Sequence, residues 1–137
     1  RGFIKEVLRL YPSVPVDTRQ CIKQETLPSS VLVKPGTICL YSQYASGRLN
    51  WEDPLTIDPE RWTKEESFHR FKFNAFHGGP QVCLGKEMAI LELSVILCTV
   101  FNRYNFEILN SREECENISH ALILLPESPI YARFTHK

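Results

Sequence analysis

The sequence lacks the features that mark a nucleic-acid-binding, membrane-spanning or disulfide-rich protein. Its 137 residues carry 16 basic and 16 acidic side chains, and nucleic acid and anionic membrane surfaces both select a basic excess. The longest apolar stretch, residues 88–101, is interrupted by Glu92 and is too short to span a bilayer. The five cysteines are an odd number with no C-x-x-C pair, so we expect neither a disulfide framework nor a zinc site.

The composition is that of an ordinary globular domain, with 43% hydrophobic and 23% charged residues. A chain of this length normally forms one domain with one core. The first residue is Arg1 rather than Met, and a helical pattern is already under way there. We therefore expect a piece of a longer protein.

Helical periodicity is clear in two places. Apolar residues recur at helical spacing over residues 1–11, and Pro12 and Pro15 end that helix. Residues 85–103 predict a second helix, which is apolar on nearly every side. A helix of that kind is buried, and we expect it to need a larger core than this chain can build alone.

The remaining segments predict short strands and irregular structure. Loose alternation over residues 14–22 and 31–44 favours strands joined by turns. Residues 46–61 have no clean period, so we expect an irregular segment with at most short helical turns. Near the end, residues 122–125 and 130–134 are strand candidates, joined to the second helix by a polar connection over residues 111–119.

The string Phe-His-Gly-Gly-Pro-Gln-Val-Cys-Leu-Gly at residues 76–85 is the most informative segment. It is a glycine-rich loop that places the thiol of Cys83 just before the long apolar helix. A helix N-terminus favours the thiolate, which suits a nucleophile or a metal ligand. A buried structural cysteine is the competing interpretation, and the chemistry alone leaves the two about equal. A cysteine-nucleophile enzyme would need a base, and the sequence cannot place His77 in that role.

This loop resembles the haem-binding loop of the cytochrome P450 family, Phe-x-x-Gly-x-Arg-x-Cys-x-Gly. Phe76, Gly79, Cys83 and Gly85 match at the correct spacing. Gln81 departs from the pattern, since the family usually has an arginine there that pairs with a haem propionate. Loss of a hydrogen bond to a charged group costs about 1.5–3 kcal/mol, so the resemblance implies weaker haem binding unless another residue compensates.

Three further residues resemble the buried ion network of the same family. Glu6 and Arg9 are three apart on one helix, as in the family's Glu-x-x-Arg motif, and Arg61 lies in a Pro-Glu-Arg-Trp string. An isolated Glu-x-x-Arg is usually a solvated ion pair; the resemblance makes it a structural network with Arg61. Arg19 matches a basic residue that reaches a propionate in many members, although a solvated surface arginine is a serious alternative.

The resemblance covers essentially all of residues 1–137, as the C-terminal part of one cytochrome P450 domain. It implies a mainly α-helical fold with a small β component, in the order Glu-x-x-Arg helix, small strands, irregular meander, cysteine loop and long buried helix. It also implies haem b with an axial thiolate from Cys83, which would be both the metal ligand and the catalytic residue. The distal pocket and the oxygen-activation helix would lie upstream, so we expect the isolated chain to be inactive.

The activity implied is insertion of one oxygen atom from O2 into an aliphatic C–H bond. Several segments of the sequence resemble those of eukaryotic members that hydroxylate fatty acids or other lipids near the chain end. An NADPH-dependent flavin reductase would supply electrons, with Lys72 and Lys86 near the loop as candidate docking cations, although each is more simply a solvated lysine. The full-length protein would sit on the cytosolic face of the endoplasmic reticulum membrane, held only by an N-terminal anchor outside this chain.

Three alternatives stay open at this point. Haem-thiolate isomerases and dehydratases of the same family rearrange peroxides without a reductase. A non-catalytic haem carrier or pseudo-enzyme is compatible with Gln81. A small interaction module with a chance cysteine loop is the third alternative. It would require four separate matches to the family to occur by coincidence, and in the family's order.

Overall fold

The computed structural model describes residues 1–69, 71–120 and 122–137. Among them the helical segments are α1 (Gly2–Leu10), α2 (Gln43–Leu49), α3 (Lys86–Arg103) and α4 (Arg112–Glu116), with 3-10 turns at Pro59–Ser67 and Gly79–Gln81. The strands are β1 (Val16–Gln20), β2 (Glu25–Thr26), β3 (Leu32–Val33), β4 (Ile38–Ser42), β5 (Tyr104–Ile108), β6 (Ile118–His120), β7 (Leu124–Pro126) and β8 (Ala132–His136). The predicted mainly helical architecture with small strands is confirmed.

The strands pair as antiparallel ribbons of two: β1 with β4, β2 with β3, β5 with β8 and β6 with β7. In the first ribbon Asp17 lies opposite Tyr41, and Arg19 lies opposite Cys39. Residues directly opposite each other share a face of the ribbon. These four side chains therefore lie on one face of the ribbon.

Helix α1 is amphipathic, but its buried side includes a charged pair. Ile4 and Leu10 are buried together with Glu6 and Arg9. The helix packs against α2 so closely that a Cβ built on Gly47 would lie 2.0 Å from the carbonyl oxygen of Arg9. Only glycine permits this contact, which fixes α2 against the C-terminal half of α1.

An aromatic cluster forms the centre of the small core. Trp51 and Trp62 are buried, with ring centroids 5.4 Å apart. Phe68 packs edge-on against Trp51 at 5.2 Å, and Phe73 packs edge-on against Trp62 at 4.8 Å. Edge-to-face pairs of this kind add to the stabilisation that burial provides. The cluster connects the residues around α1 to the segment that leads into the cysteine loop.

Helix α3 confirms the predicted long apolar helix, but of its residues only Ile90 is buried. Met88, Leu91, Val95 and Ile96 are more than half exposed. This exposure agrees with the expectation that the helix needs more core than these residues supply. None of the helices in the described ranges is long and apolar enough to cross a membrane.

Several elements differ from the sequence-based expectations. Residues 46–61 are irregular apart from short helical turns, as expected, but the first of these turns belongs to α2, which begins earlier, at Gln43, and extends to Leu49. The N-cap Ser42 of α2 accepts a hydrogen bond from the amide of Ala45. The polar connection contains α4, which begins with a Ser111–Glu114 capping box. Strands β5 and β6 were not predicted, because each is stabilised by a partner strand rather than by local alternation.

Candidate functional site

The cysteine loop is closed by one backbone hydrogen bond. The amide of Cys83 donates to the carbonyl oxygen of Phe76 at 2.8 Å. His77 and Gly79 adopt left-handed backbone conformations, with φ values of 61° and 67°. This conformation is easy for glycine and uncommon for histidine. The two residues turn the chain back on itself and bring Cys83 to the surface three residues before α3 begins.

Two glycines of the loop, Gly78 and Gly85, allow other groups to lie close to the backbone. A Cβ on Gly78 would lie 2.5 Å from Cδ1 of Phe71, so this ring packs directly against the bare backbone. At Gly85 a Cβ would lie 3.9 Å from the Sγ of Cys83, which is ordinary van der Waals contact. Cys83 itself is exposed. The backbone therefore presents the sulfur with little side-chain cover around it.

A cavity of about 570 Å³ lies between this loop and the β1–β4 ribbon. Its lining comprises Arg19, Tyr41, Phe71, Asn74, His77, Gly78, Pro80 and Gln81. Arg19 and Gln81, the two residues that the sequence nominated for a propionate contact, line the same cavity. The structure thus brings together two residues that are 62 positions apart in the sequence.

The carboxylate of Asp17 contacts two residues that line this cavity, Arg19 and His77. Its Oδ2 atom lies 2.5 Å from Nη1 of Arg19 and 3.1 Å from Nε2 of His77. Burial raises the pKa of Tyr41, and the negative charge of Asp17 opposite it adds to that rise. No pattern in the sequence indicated that His77 and Arg19 would share one carboxylate, because the contact depends on how the loop and the ribbon pack.

The side chains of Glu6 and Arg9 are both buried. Nε and Nη2 of Arg9 donate to the two oxygens of Glu6 at 2.8 Å and 2.9 Å. The same guanidinium donates to the carbonyl oxygens of Gly47, Pro54 and Thr56 at 2.6, 2.6 and 3.1 Å. One arginine therefore ties α1 to α2 and to the irregular segment that follows it.

The pKa of Glu6 lies below its ordinary value. Burial by itself would raise this pKa, but hydrogen bonds from Arg9, from the backbone amide of Asp58 and from the indole of Trp62, together with the charge of Arg9, outweigh it. A carboxylate that accepts several hydrogen bonds stays ionised even when it is fully buried.

Arg61 joins the network more loosely than expected. Its Nε lies 3.5 Å from Oε1 of Glu6, and its Nη1 donates to the carbonyl oxygen of Glu52 at 2.9 Å. The indole Nε1 of Trp62 donates to the same Glu6 oxygen at 2.9 Å. Sequence reasoning did not include Trp62, although it follows Arg61 directly. The structure thus unites Glu6, Arg9 and Arg61 and adds a fourth member.

The sequence model of the cytochrome P450 family matches residues 1–134. The chain belongs to this family. Similar proteins include cytochrome P450 CYP94D108 of Paris polyphylla, 34% identical over 98% of this chain and 28% of the relative. Cytochrome P450 704C1 of Pinus taeda is 36% identical over 80% of this chain and 22% of the relative, and cytochrome P450 86B1 of Arabidopsis thaliana is 36% identical over 80% and 21%. The chain spans about a quarter of the length of these relatives.

Solved cytochrome P450 structures share the fold. The retinoic acid-bound cyanobacterial CYP120A1 superposes with a TM-score of 0.87 at 22% identity, over 99% of this chain and 32% of that one. A six-coordinated cytochrome P450 from Thermus thermophilus gives 0.82 at 26% identity, over 97% and 36%. The predicted family and fold are confirmed, and the cofactor of this family is haem held by a cysteine thiolate.

The residues of the cysteine loop fit this cofactor. The sulfur of Cys83 is on an exposed residue, so a metal in a flat macrocycle can reach it. The adjacent cavity offers the guanidinium of Arg19 and the amide of Gln81, both of which can donate hydrogen bonds to carboxylates. A sulfur suits the iron of a haem, and a cation and an amide donor suit its carboxylates.

Proposed function

We propose that Cys83 is the axial ligand of a haem and that the chain is the haem-binding part of a monooxygenase. The observation that carries this proposal is the exposed sulfur of Cys83, held on a loop closed by the Cys83–Phe76 backbone bond. When bound, a haem with a thiolate ligand supplies the activation of O2 and the insertion of one oxygen atom into a substrate C–H bond. The protein's part is to hold and tune the cofactor.

The loop residues divide this work. The carbonyl of Phe76 fixes the backbone of Cys83, and Gly79 provides the left-handed turn that returns the chain. Gly85 leaves space next to the sulfur. Backbone N–H groups at the start of α3 favour negative charge in front of them, and Cys83 lies three residues before that start.

Arg19 and Gln81 would hold the carboxylate edge of the haem. Arg19 supplies the charge, and Gln81 donates through its amide without charge assistance. Because Arg19 also pairs with Asp17 at 2.5 Å, a haem carboxylate must compete with that aspartate. We infer that the grip on the haem edge is weaker than that of a relative with arginine at the position of Gln81, since charge-assisted hydrogen bonds are roughly twice as strong as neutral ones.

For the whole protein we propose hydroxylation of a fatty acid or another lipophilic substrate near its chain end. The support is the resemblance of the chain to eukaryotic members with this activity and its similarity to the CYP94 and CYP86 proteins. We propose an NADPH-dependent flavin reductase as the electron donor and the cytosolic face of the endoplasmic reticulum as the location. Lys86 remains a candidate docking cation, whereas Lys72 lies 4.7 Å from the ring centroids of both Trp51 and Phe68 and is partly engaged there.

The test is the absorption spectrum of the reduced, carbon monoxide-bound protein, made as the full natural chain. We expect a strongly red-shifted Soret band that disappears in the Cys83→Ser variant. Cys39→Ser is the matched control, since Cys39 is another exposed free cysteine, and it should keep the band. Haem bound without the shift in the unmodified protein would support a non-catalytic haem carrier instead.

The substrate class needs a separate measurement. With the reductase, NADPH and a saturated fatty acid, we expect a product that carries one hydroxyl group near the chain end. Conversion of a lipid peroxide without NADPH or reductase, together with no hydroxylation, would favour the isomerase or dehydratase alternative.

A further inference from the structure

We propose that Trp62 is the positioning residue that connects the buried Glu6–Arg9 pair to the cysteine loop, and that the neighbouring Arg61 has the lesser part. The link between the indole and Glu6 stands on the structure of this chain alone. The consequence for thiolate ligation rests on the function proposed above.

The first step is the occupancy of the Glu6 carboxylate. Its hydrogen-bond donors are Nε and Nη2 of Arg9, the amide of Asp58 and the indole of Trp62, all at 2.8–2.9 Å. Arg61 reaches the carboxylate only at 3.5 Å. Among the described residues, the buried Nε of Arg61 has no hydrogen-bond partner. The indole, not the second arginine, completes the set.

The second step is the other side of the same indole. The Trp62 ring meets Phe73 at 4.8 Å between centroids, and Phe73 meets Phe76 at 6.3 Å. The carbonyl of Phe76 then accepts the hydrogen bond from the amide of Cys83. A continuous series of contacts therefore runs from Glu6 through three aromatic rings to the backbone of Cys83.

The third step is a natural control within the same cluster. Trp51 is buried to the same degree as Trp62, at 6% and 7% exposure, and the two rings are in contact. The Nε1 atom of Trp51 has no hydrogen-bond partner in the part of the chain that the structure describes. Replacing each tryptophan with phenylalanine removes similar ring area, but only at position 62 does it remove a hydrogen bond to a charged group.

The experiment compares Trp62→Phe with Trp51→Phe in the full natural chain loaded with haem. Denaturant unfolding is followed at a series of pH values. At neutral pH we expect the unfolding constant of Trp62→Phe to exceed that of Trp51→Phe by about tenfold to a hundredfold, the usual effect of one hydrogen bond to a charged group. We also expect a smaller red-shifted fraction in the reduced carbon monoxide spectrum of Trp62→Phe.

The pH profile separates an effect on Glu6 from a general loss of packing. The pKa of folded Glu6 is lowered, so its stabilisation is present above the unfolded pKa and is lost as pH falls through the folded pKa. Without the indole donor the folded pKa rises towards the unfolded one, so the acid loss of stability becomes smaller and is complete at a higher pH. In a Glu6→Gln background Trp62→Phe should no longer move this acid limb.

Two results would overturn the proposal: equal profiles for the two tryptophan variants, or a shift of the acid limb in Arg61→Met that is absent in Trp62→Phe. If Trp62→Phe does not fold, ultraviolet resonance Raman of the indole N–H still tests the proposal in other variants. Trp51→Phe should lose the signal of a weakly hydrogen-bonded indole, and Glu6→Gln should weaken the signal of one strongly hydrogen-bonded indole. Absence of the thiolate spectrum in every protein would refute the proposed function and leave the pH comparison intact.

Discussion

Replacement of Arg9 with methionine should be among the most damaging single changes in this chain. Methionine retains a long unbranched side chain but makes none of the five hydrogen bonds of the guanidinium. Arg9 is 3% exposed and Glu6 is fully buried. The variant therefore leaves an ionised carboxylate in the interior with half of its donors gone.

The size of the effect follows from these contacts. Breaking a buried ion pair by removing one partner costs about 3–5 kcal/mol. The carbonyl of Gly47 also loses its buried donor, which adds about 1–3 kcal/mol, whereas the partly buried carbonyls of Pro54 and Thr56 can turn to water. A total of about 4–8 kcal/mol is comparable to the whole stability of a typical domain, about 5–15 kcal/mol.

The assay is denaturant unfolding and haem content of the full natural chain. Arg133→Met is the matched control, because Arg133 pairs with Glu107 at 3.1 Å but both side chains are about two-thirds exposed. An exposed pair of this kind is worth about 0–1 kcal/mol. Arg9→Lys keeps the charge and loses the fork geometry, so it should lie between the two and remain measurable if Arg9→Met does not fold. If Arg9→Met were within about 1 kcal/mol of the control, the argument from buried charge would be refuted.

Two further predictions concern the cofactor edge and the packing of α2. Gln81→Arg should bind haem about tenfold or more tightly, because it would add a charge-assisted hydrogen bond, and Arg19→Gln should bind haem less tightly. Both are checked by the rate at which haem transfers to an excess of apomyoglobin. Equal transfer rates in the two variants and the unmodified protein would contradict the assignment of the cavity to the haem edge. Gly47→Ala should lower the melting temperature by many degrees and reduce haem content, because its Cβ would lie 2.0 Å from the carbonyl oxygen of Arg9. Gly36→Ala has φ of 86° and nothing within 4 Å of the added Cβ, so it measures backbone strain without a close contact. An unchanged melting temperature in Gly47→Ala would mean that the close contact is unimportant.

The parts of the fold that sequence predicted are those with local signals. The apolar period of α1, the long apolar run of α3 and the glycine-rich loop before it are each visible within a single short segment, and the structure contains all three. The pairing of Glu6 with Arg9 was predictable because residues three apart share a helix face. The third member, Arg61, came from resemblance rather than from spacing.

The parts that sequence missed depend on contacts between distant segments. Helix α2 contains a glycine and seven residues in all, too few for a clear helical period, and it is stabilised by packing on α1. Two carboxylate contacts that the sequence did not indicate, Trp62 with Glu6 and His77 with Asp17, join residues 56 and 60 positions apart. No local pattern reports such distances, although the indole was a visible candidate donor beside Arg61.

The backbone hydrogen bond that closes the cysteine loop makes the position of the sulfur independent of the side chains that line the neighbouring cavity. The backbone bond between Cys83 and Phe76 sets where the sulfur lies, and it involves no side chain of residues 80–82. Gln81, by contrast, lines the neighbouring cavity. If Cys83 and Gln81 have the roles proposed above, substitution at position 81 alters how firmly the edge of a haem is held while the ligand atom keeps its place, so retention of the cofactor and the chemistry at its centre can diverge in evolution.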